Sequence, residues 1–320
     1  MNPRRFLLRA AQLLLVISGC ILAIAWYYYQ KDYAGHFRER KGELRNFELQ
    51  PAGGDSAFQK AWLRIESSSG LVVDCGLLTP VRGQRHPAVI LLGGKATGKY
   101  AIDYALDIEE VIIVAVDYPY EPRPSYTVPE FLVDIPAMRT ALLNMVPSVM
   151  LLVDYLATRR DVDTSRIVVL GYSFGAPLVP AIMAHDKRPV YAAMVFGGGD
   201  LYGLIRHNVR RTESPLVAEF VAGLGALLLN PLEPLRYAKR ISPVPLLMIN
   251  GSKDEQIPRM NTELFYEAAL EPKKIIWLES SHVRKENVEL TRTIIRSLRE
   301  ELARAGLVKT RKDLMVSIVF

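Results

Sequence analysis

Six short runs of apolar, largely β-branched residues follow one another along the chain, and longer helix-like stretches separate them. The runs are residues 88–92, 111–118, 166–173, 191–199, 244–251 and 274–279. Because they are continuously apolar rather than alternating, they are typical of strands that are covered on both faces. The succession therefore predicts an α/β fold with an open, mostly parallel central sheet. Before it, residues 61–80 alternate around a Ser-Ser-Ser-Gly turn and predict an antiparallel hairpin.

The N-terminus carries an apolar segment of a different kind. Residues 10–29 contain no charge and follow three arginines, and this length can cross a hydrocarbon core of about 30 Å. The run ends in Trp26 and three tyrosines, which suit the headgroup region. We expect residues 1–30 to hold an uncleaved transmembrane helix. Two alternatives are lipidation at Cys20 and cleavage as a signal peptide near Ala23 and Ala25.

Basic residues flank this segment on both sides, so the positive-inside rule does not decide its orientation. The short N-terminal tail favours a domain on the exported side. Residues 31–60 are charged and lack apolar periodicity, which predicts a spacer. A single large domain then covers residues 61–305, with a helical insertion at about 201–240, and residues 306–320 form a tail.

Composition argues against nucleic-acid binding, a disulfide framework and a metal cluster. The net charge is +6, and lysine and arginine are dispersed rather than clustered with aromatic residues, so we expect no nucleic-acid partner. Cys20 and Cys75 are far apart, which argues against both a disulfide framework and a metal cluster. We expect no metal and no organic cofactor. The sequence does not predict the oligomeric state.

The strongest chemical signal is the sequence Gly171-Tyr172-Ser173-Phe174-Gly175, which ends one predicted strand and opens a helix. A G-x-S-x-G sequence in this context is typical of a sharply turned backbone that exposes a serine. Small residues two positions on either side let the strand and the helix approach closely. Ser173 is therefore a candidate nucleophile, although a capping serine in a glycine-rich turn is the simpler alternative.

A serine nucleophile needs a base, and the base needs an orienting acid. His282 directly follows the last predicted strand, which places it at the same sheet edge as Ser173. Asp254 follows the strand before it and is the favoured acid; Asp200 is the second candidate. The other histidines lie in the spacer, at a strand start, at a helix end and in the insertion: His36, His86, His185 and His207.

These segments together resemble the α/β-hydrolase superfamily over residues 60–305. The resemblance rests on "GYSFG", "NGSKDEQIP", "SSH" and "VILLGG". It implies an eight-stranded, mostly parallel sheet with Ser173 as nucleophile, Asp254 as orienting acid and His282 as base. It also implies an oxyanion hole formed by the backbone N–H groups of Phe174 and Lys95, with Gly94 as the nearest alternative.

The loop that begins at Gly93 permits a second interpretation. Gly93, Gly98 and Lys99 fit the G-x-x-x-x-G-K pattern of a phosphate-binding loop, and Asp117 resembles a metal-holding acid. However, Tyr100 stands where that pattern requires a serine or threonine. A nucleotide site would also leave the serine, acid and histidine unexplained.

We therefore expect a membrane-anchored serine hydrolase that cleaves a carboxylic ester or thioester through an acyl-enzyme. The small-molecule substrate would have an apolar acyl part. The alternatives are an acyltransferase on the same triad and a non-catalytic binding protein. The insertion carries apolar residues at helical spacing, namely Leu216, Val217, Phe220, Val221, Leu224, Leu227 and Leu228. They predict either a lid or the packed face of a helix. In both cases we expect the insertion to form an apolar roof over the site.

Overall fold

The computed structural model describes residues 30–309 apart from 84, 96, 105–109, 121–122, 124–126 and 285, together with single positions between 9 and 27. Most of the expected membrane anchor, and the tail beyond residue 309, therefore lie outside the described residues.

Within this part of the chain, nine strands form one sheet. They are β1 Leu44–Gly54, β2 Phe58–Ser67, β3 Val72–Pro80, β4 His86–Leu92, β5 Ile112–Val116, β6 Val162–Tyr172, β7 Tyr191–Val195, β8 Leu246–Gly251 and β9 Lys273–Leu278. The order across the sheet is β1-β2-β3-β5-β4-β6-β7-β8-β9. Strands β4 to β9 pair in parallel, and β1, β2 and β3 join them as an antiparallel extension. The predicted mostly parallel sheet and the entering hairpin are both confirmed.

Eight α-helices accompany the sheet in the described residues. They are α1 Ala34–Lys41, α2 Val128–Thr158, α3 Val179–His185, α4 Leu201–Val209, α5 Pro215–Leu229, α6 Pro234–Ile241, α7 Arg259–Ala268 and α8 Val288–Arg304. Short 3-10 helices span Gly98–Tyr104, Ser173–Leu178 and Asn230–Leu232.

Residues 31–60 differ from the predicted spacer, because they contain α1 and β1. Phe37 of α1 is fully buried, and Tyr33 beside it is nearly so. Strand β1 is an edge strand that pairs antiparallel with β2, and nearly all its side chains are exposed. Such a strand is held by backbone hydrogen bonds rather than by an apolar face, so its charged sequence gives no hydrophobic signal. The sheet consequently has nine strands instead of the expected eight.

Helix α2 begins at Val128, ahead of the long apolar segment Val133–Thr158. Thr127 caps it, because its side chain accepts the Glu130 N–H while the Glu130 carboxylate accepts the Thr127 N–H at 2.9 Å. This reciprocal pair satisfies two N–H groups that the first turn leaves free. In the segment Val133–Thr158, which is long and apolar enough to span a membrane, 72% of the most apolar window is buried inside the protein. Helix α2 is therefore a core helix.

The two faces of the sheet bury different layers. Alternate residues of β4 show the division: Ala88, Ile90 and Leu92 join the layer that contains α1, α2, α3 and α6, whereas Val89 joins the layer that contains α8. This alternation is the ordinary consequence of the strand period of two. The carboxyl ends of the parallel strands then meet at one edge, where loops from both layers converge.

Candidate active site

Ser173 is the first residue after β6 and lies at the carboxyl edge of the sheet. Its φ of 52° is in the left-handed region, which costs a non-glycine residue on the order of 1–3 kcal/mol. The flanking glycines permit this turn, because a Cβ on Gly175 would lie 2.2 Å from the Leu92 carbonyl oxygen and one on Gly171 would lie 2.5 Å from the Gly175 carbonyl oxygen. The strained turn therefore depends on the absence of side chains at both positions.

The structure brings Ser173, His282 and Asp254 into one hydrogen-bonded line. The Ser173 Oγ lies 2.7 Å from His282 Nε2. On the other side of the ring, His282 Nδ1 lies 2.8 Å from Asp254 Oδ2 and 3.0 Å from Oδ1. The His282 side chain is 5% exposed and that of Asp254 is 1% exposed. With Nδ1 donating to the carboxylate, Nε2 is left to accept the serine proton.

The Asp254 carboxylate is held by its own loop. Its Oδ1 accepts the backbone N–H groups of Gln256 at 2.7 Å and Ile257 at 2.9 Å. A buried carboxylate needs such partners, since an isolated charge would be costly to bury. The loop therefore fixes the carboxylate in position while leaving Oδ2 for the histidine.

Glu255 is part of the site, although the sequence reasoning missed it. Its Oε2 accepts the His282 N–H at 2.9 Å, and its Oε1 accepts from Arg284 Nη2 at 2.9 Å. These hydrogen bonds, that from His282 first, lower the pKa of Glu255 to about 2. Its position beside Asp254 is the one sequence signal that could have indicated it. Consecutive carboxylates thus hold the ring and the backbone of the same histidine.

The remaining histidines and the second candidate acid have other partners. His207 Nε2 lies 2.9 Å from the Glu255 carbonyl oxygen, and His86 Nδ1 lies 3.1 Å from the Glu110 carbonyl oxygen. His185 packs against the rings of Phe37 and Tyr237, and His36 packs against Tyr33. Asp200 caps α4 by accepting the Gly203 N–H at 3.1 Å. His282 and Asp254 are accordingly the pair that reaches Ser173.

The loop after β4 borders the same site. The Gly94 carbonyl oxygen accepts both the N–H and the Oγ1–H of Thr97 at 3.0 Å, which fixes the turn that contains Lys95. Gly93, Gly94, Lys95 and Ser173 all line one cavity. Phe174 follows Ser173 in the first turn of a 3-10 helix, where backbone N–H groups have no partner within the helix.

The nucleotide-binding interpretation of this loop has no support in the geometry. Lys99 Nζ lies 3.3 Å from Asp117 Oδ2, so the two residues that would contact phosphate and metal are paired with each other. Gly98–Tyr104 is a 3-10 helix rather than the start of the α-helix on which such a site depends.

A cavity of about 420 Å³ opens at Ser173 and His282. Its walls come from the sheet, the histidine loop and α8, and none of its described lining residues comes from residues 201–240. The expectation of a roof formed by the insertion is therefore wrong for this cavity. Helix α5 instead packs through the small residues Ala218 and Ala222 and leaves Leu216 and Phe220 exposed.

The chain is similar in sequence and in structure to several known proteins. A model of the prolyl oligopeptidase family matches residues 143–278, which include Ser173 and Asp254. The uncharacterized protein YfhR of Salmonella typhi is 28% identical over 132 residues, 41% of this chain and 45% of YfhR. The α/β hydrolase domain-containing protein WAV2 of Arabidopsis thaliana is 27% identical over 128 residues, 36% of this chain and 39% of WAV2. The chain thus matches less than half the length of these relatives.

The fold itself has solved counterparts. Acetyl xylan esterase 1 of Thermoanaerobacterium sp. JW/SL YS485 superposes with a TM-score of 0.63 at 16% identity, covering 84% of this chain and 94% of the esterase. The family model, in comparison, matches a segment that begins within α2 and ends with β9. Sequence and structure agree with the resemblance that the motifs implied, and the chain has the α/β-hydrolase fold.

Proposed function

We propose that this protein is a serine hydrolase that cleaves carboxylic esters or thioesters through an acyl-enzyme. The observation that carries the proposal is the line from Asp254 through His282 to the Ser173 Oγ, with the oxygen at the opening of an apolar cavity. A serine hydroxyl needs an adjacent base held in one tautomer, and this arrangement provides both.

In the first half-reaction, the Ser173 Oγ attacks the substrate carbonyl carbon and its proton passes to His282 Nε2. The tetrahedral oxyanion would accept hydrogen bonds from the backbone N–H groups of Phe174 and Lys95, with Gly94 as the alternative donor. The intermediate collapses when the bond to the leaving oxygen or sulfur breaks. His282 gives its proton to that atom, and the acyl group remains on Ser173.

In the second half-reaction, His282 Nε2 takes a proton from a water molecule, whose oxygen attacks the acyl carbon. Collapse of this second intermediate breaks the bond to the Ser173 Oγ, which recovers its proton from His282. The products are a carboxylic acid and the alcohol or thiol. Asp254 keeps its negative charge throughout and stabilises the imidazolium in each step.

Two comparisons bear on the bond that is cleaved. The matching family model is named for an oligopeptidase, whereas the structural counterpart is an esterase of acetylated xylan. The cavity is lined mainly by apolar side chains and has room for an apolar acyl group, such as a carboxylic ester or thioester would carry. An acyltransferase would use the same three residues, with an alcohol or amine in place of water.

Hydrolysis of p-nitrophenyl acetate and of an acetyl thioester, with and without Ser173→Ala, tests the proposal. The variant should lose at least about 10⁴-fold in kcat, as in comparable triads. Equal rates for both proteins would refute the mechanism. Added alcohols and amines test the acyltransferase alternative, because they would compete with water for the acyl group in product analysis. A peptide amide substrate tests the peptidase comparison in the same assay.

We also propose that residues 10–29 anchor the protein in a membrane, with the domain on the exported side. The support is the uncharged length of the segment and the docking of the chain directly after it. Arg236 Nη2 donates to the Lys31 carbonyl oxygen at 2.8 Å, and Arg139 Nη2 donates to the Tyr33 hydroxyl at 3.1 Å. The domain would then lie close to the lipid surface. Carbonate extraction should leave the full chain in membranes and release a variant without residues 1–29. Digestion of sealed membrane vesicles with an added protease shows on which side of the membrane the domain lies.

A further inference from the structure

We infer that the space between the sheet and α8 is a tunnel for a linear acyl chain, and that it selects substrates by chain length. The inference rests on the proposed serine hydrolase and names the substrate class of that site. The tunnel is the inner part of the cavity that opens at Ser173.

The inner walls are apolar on two sides. Strands β4, β5, β6 and β7 present alternate residues to it, and α8 presents one face. These residues are Val89, Leu91, Val111, Ile113, Leu170, Val195, Ile294, Ile295, Leu298 and Leu302. Most of them are buried, and Arg284, Glu286 and Lys95 line the cavity near its opening. Among the described residues, Arg299 of α8, next to Leu298, is a further charged residue of the cavity wall. A charged or branched polar substrate would have to desolvate its groups against these walls.

The direction of the cavity assigns it to the acyl part of the substrate. Ser173 follows β6, whereas His282 follows β9 and therefore lies on one side of it in the sheet. The lining residues Ile113 of β5 and Val111, which directly precedes β5, lie on the opposite side of β6. Because His282 must protonate the leaving group, the leaving group lies toward β9. The chain on the other side of the carbonyl then points toward β5.

The length of the cavity follows from the strand register. Leu92 of β4 pairs with Gly171, just before Ser173, and Ala88 pairs with Ile112, which follows the lining residue Val111. From Ala88 to Leu92 the strand advances by roughly 13 Å at a rise of about 3.3 Å per residue. A water molecule occupies about 30 Å³ and a methylene is of similar size, so the volume admits a chain of roughly ten carbons. A cavity of this volume with apolar walls suits a long acyl chain better than an acetyl group.

A chain-length series of p-nitrophenyl esters, from acetate to palmitate, tests the inference on the full-length protein. Burial of each methylene should raise kcat/KM by up to about fourfold until the tunnel is full. A variant with Leu298→Trp fills the middle of the tunnel and should lower kcat/KM for decanoate by more than about tenfold, with acetate changed less than about twofold. The matched control is Arg296→Trp on the exposed side of α8, which should leave the whole series unchanged.

A second measurement does not depend on the folding of a variant. Labelling of the wild-type protein by ethyl and by decyl p-nitrophenyl phosphonates reports on the same tunnel through a covalent bond to Ser173. The decyl reagent should react faster by at least about tenfold.

The outcomes separate this inference from the proposed function. Hydrolysis of acetate with a flat chain-length series, or equal labelling by both phosphonates, would overturn the tunnel and leave the hydrolase intact. A uniform loss on all esters in a folded Leu298→Trp variant would also overturn it. No hydrolysis of any ester, together with no labelling of Ser173, would refute the proposed function itself. A series that rises to decanoate and is cut short by Leu298→Trp alone supports the tunnel.

Discussion

Glu255 Oε2 accepts the backbone N–H of His282 at 2.9 Å, while the adjacent Asp254 binds the imidazole ring of the same residue. The histidine is therefore held at two points by one short loop. Asp254 determines the tautomer and orientation of the ring, and Glu255 determines where the backbone of the histidine loop lies. This division gives the two carboxylates separable effects.

Substitution of Glu255 by alanine should lower kcat by about 10–100-fold, because displacement of a catalytic group by about 1 Å has an effect of that size. KM should change little, since Glu255 does not line the cavity. Glu255→Gln keeps an oxygen that can accept the His282 N–H and should recover most of the rate. Steady-state kinetics on one ester measures both variants. Equal kcat for wild type and Glu255→Ala would show that the loop does not need this hydrogen bond.

Substitution of Asp254 by asparagine should lower kcat by about 10⁴-fold. The asparagine oxygen can still accept from Gln256 and Ile257, but its amide would donate to His282 Nδ1 and leave the proton on Nε2. The matched control is Asp200→Asn, because asparagine is also a good helix cap and Asp200 caps α4 away from the site. Activity should survive in the control, and a comparable loss in both variants would contradict the assignment of the acid.

Gly175→Ala should destabilise the fold by about 1–3 kcal/mol or prevent folding, because its Cβ would overlap the Leu92 carbonyl oxygen. Gly223→Ala in α5 is the control, since a Cβ there meets nothing within 4 Å. That change should stabilise the protein by up to about 1 kcal/mol through helix propensity. Urea unfolding measures both. Tolerance of alanine at residue 175 would mean that the strand and helix are farther apart than the structure shows.

Acid should destabilise the protein partly through His185. Burial, followed by the charge of Arg240, lowers the pKa of His185 to about 4, below its ordinary value of 6.5. The unfolded chain therefore binds the proton first as the pH falls, so the free energy of unfolding decreases between about pH 6.5 and about pH 4. Partial exposure screens the effect, and about 1 kcal/mol is expected between about pH 7 and about pH 5.

The measurement for His185 is the difference in unfolding free energy between these two pH values, in wild type and in His185→Phe. The variant keeps an aromatic ring against Phe37 and Tyr237 but cannot titrate. Its pH dependence should be shallower than that of the wild type. The same slope in both proteins would show that His185 does not contribute.

The parts of the fold that could be predicted from sequence are those with a strong local signal. Strands β5, β7 and β8 were recognisable because both of their faces are buried, so their residues are uniformly apolar. Strands β4, β6 and β9 each contain an apolar run that gives the same signal. Strand β1 and helix α1 gave no such signal, because β1 is an exposed edge and α1 buries mainly Phe37. The early start of α2 depends on the Thr127–Glu130 pair, which is a capping signal rather than a hydrophobic one.

For the site, Ser173, Asp254 and His282 were recognisable because each lies on the segment that follows a strand and bears a chemically specific group. Glu255 was missed because its effect is exerted on a backbone N–H, which no side-chain pattern reveals. The cavity was placed under the insertion because Leu216 and Phe220 are apolar, but these side chains face outward. Which face a helix presents depends on its neighbours, and small residues such as Ala218 can form the packed side.

An activated nucleophile at Ser173 should react covalently with a fluorophosphonate. Peptide mass analysis of the labelled protein should locate one adduct on Ser173, and Ser173→Ala should abolish it. Asp254→Asn should slow the labelling but leave the adduct on Ser173, because the histidine would no longer be held in the required tautomer. Absence of any adduct on folded wild-type protein, or an adduct that persists in Ser173→Ala, would show that Ser173 is not the nucleophile.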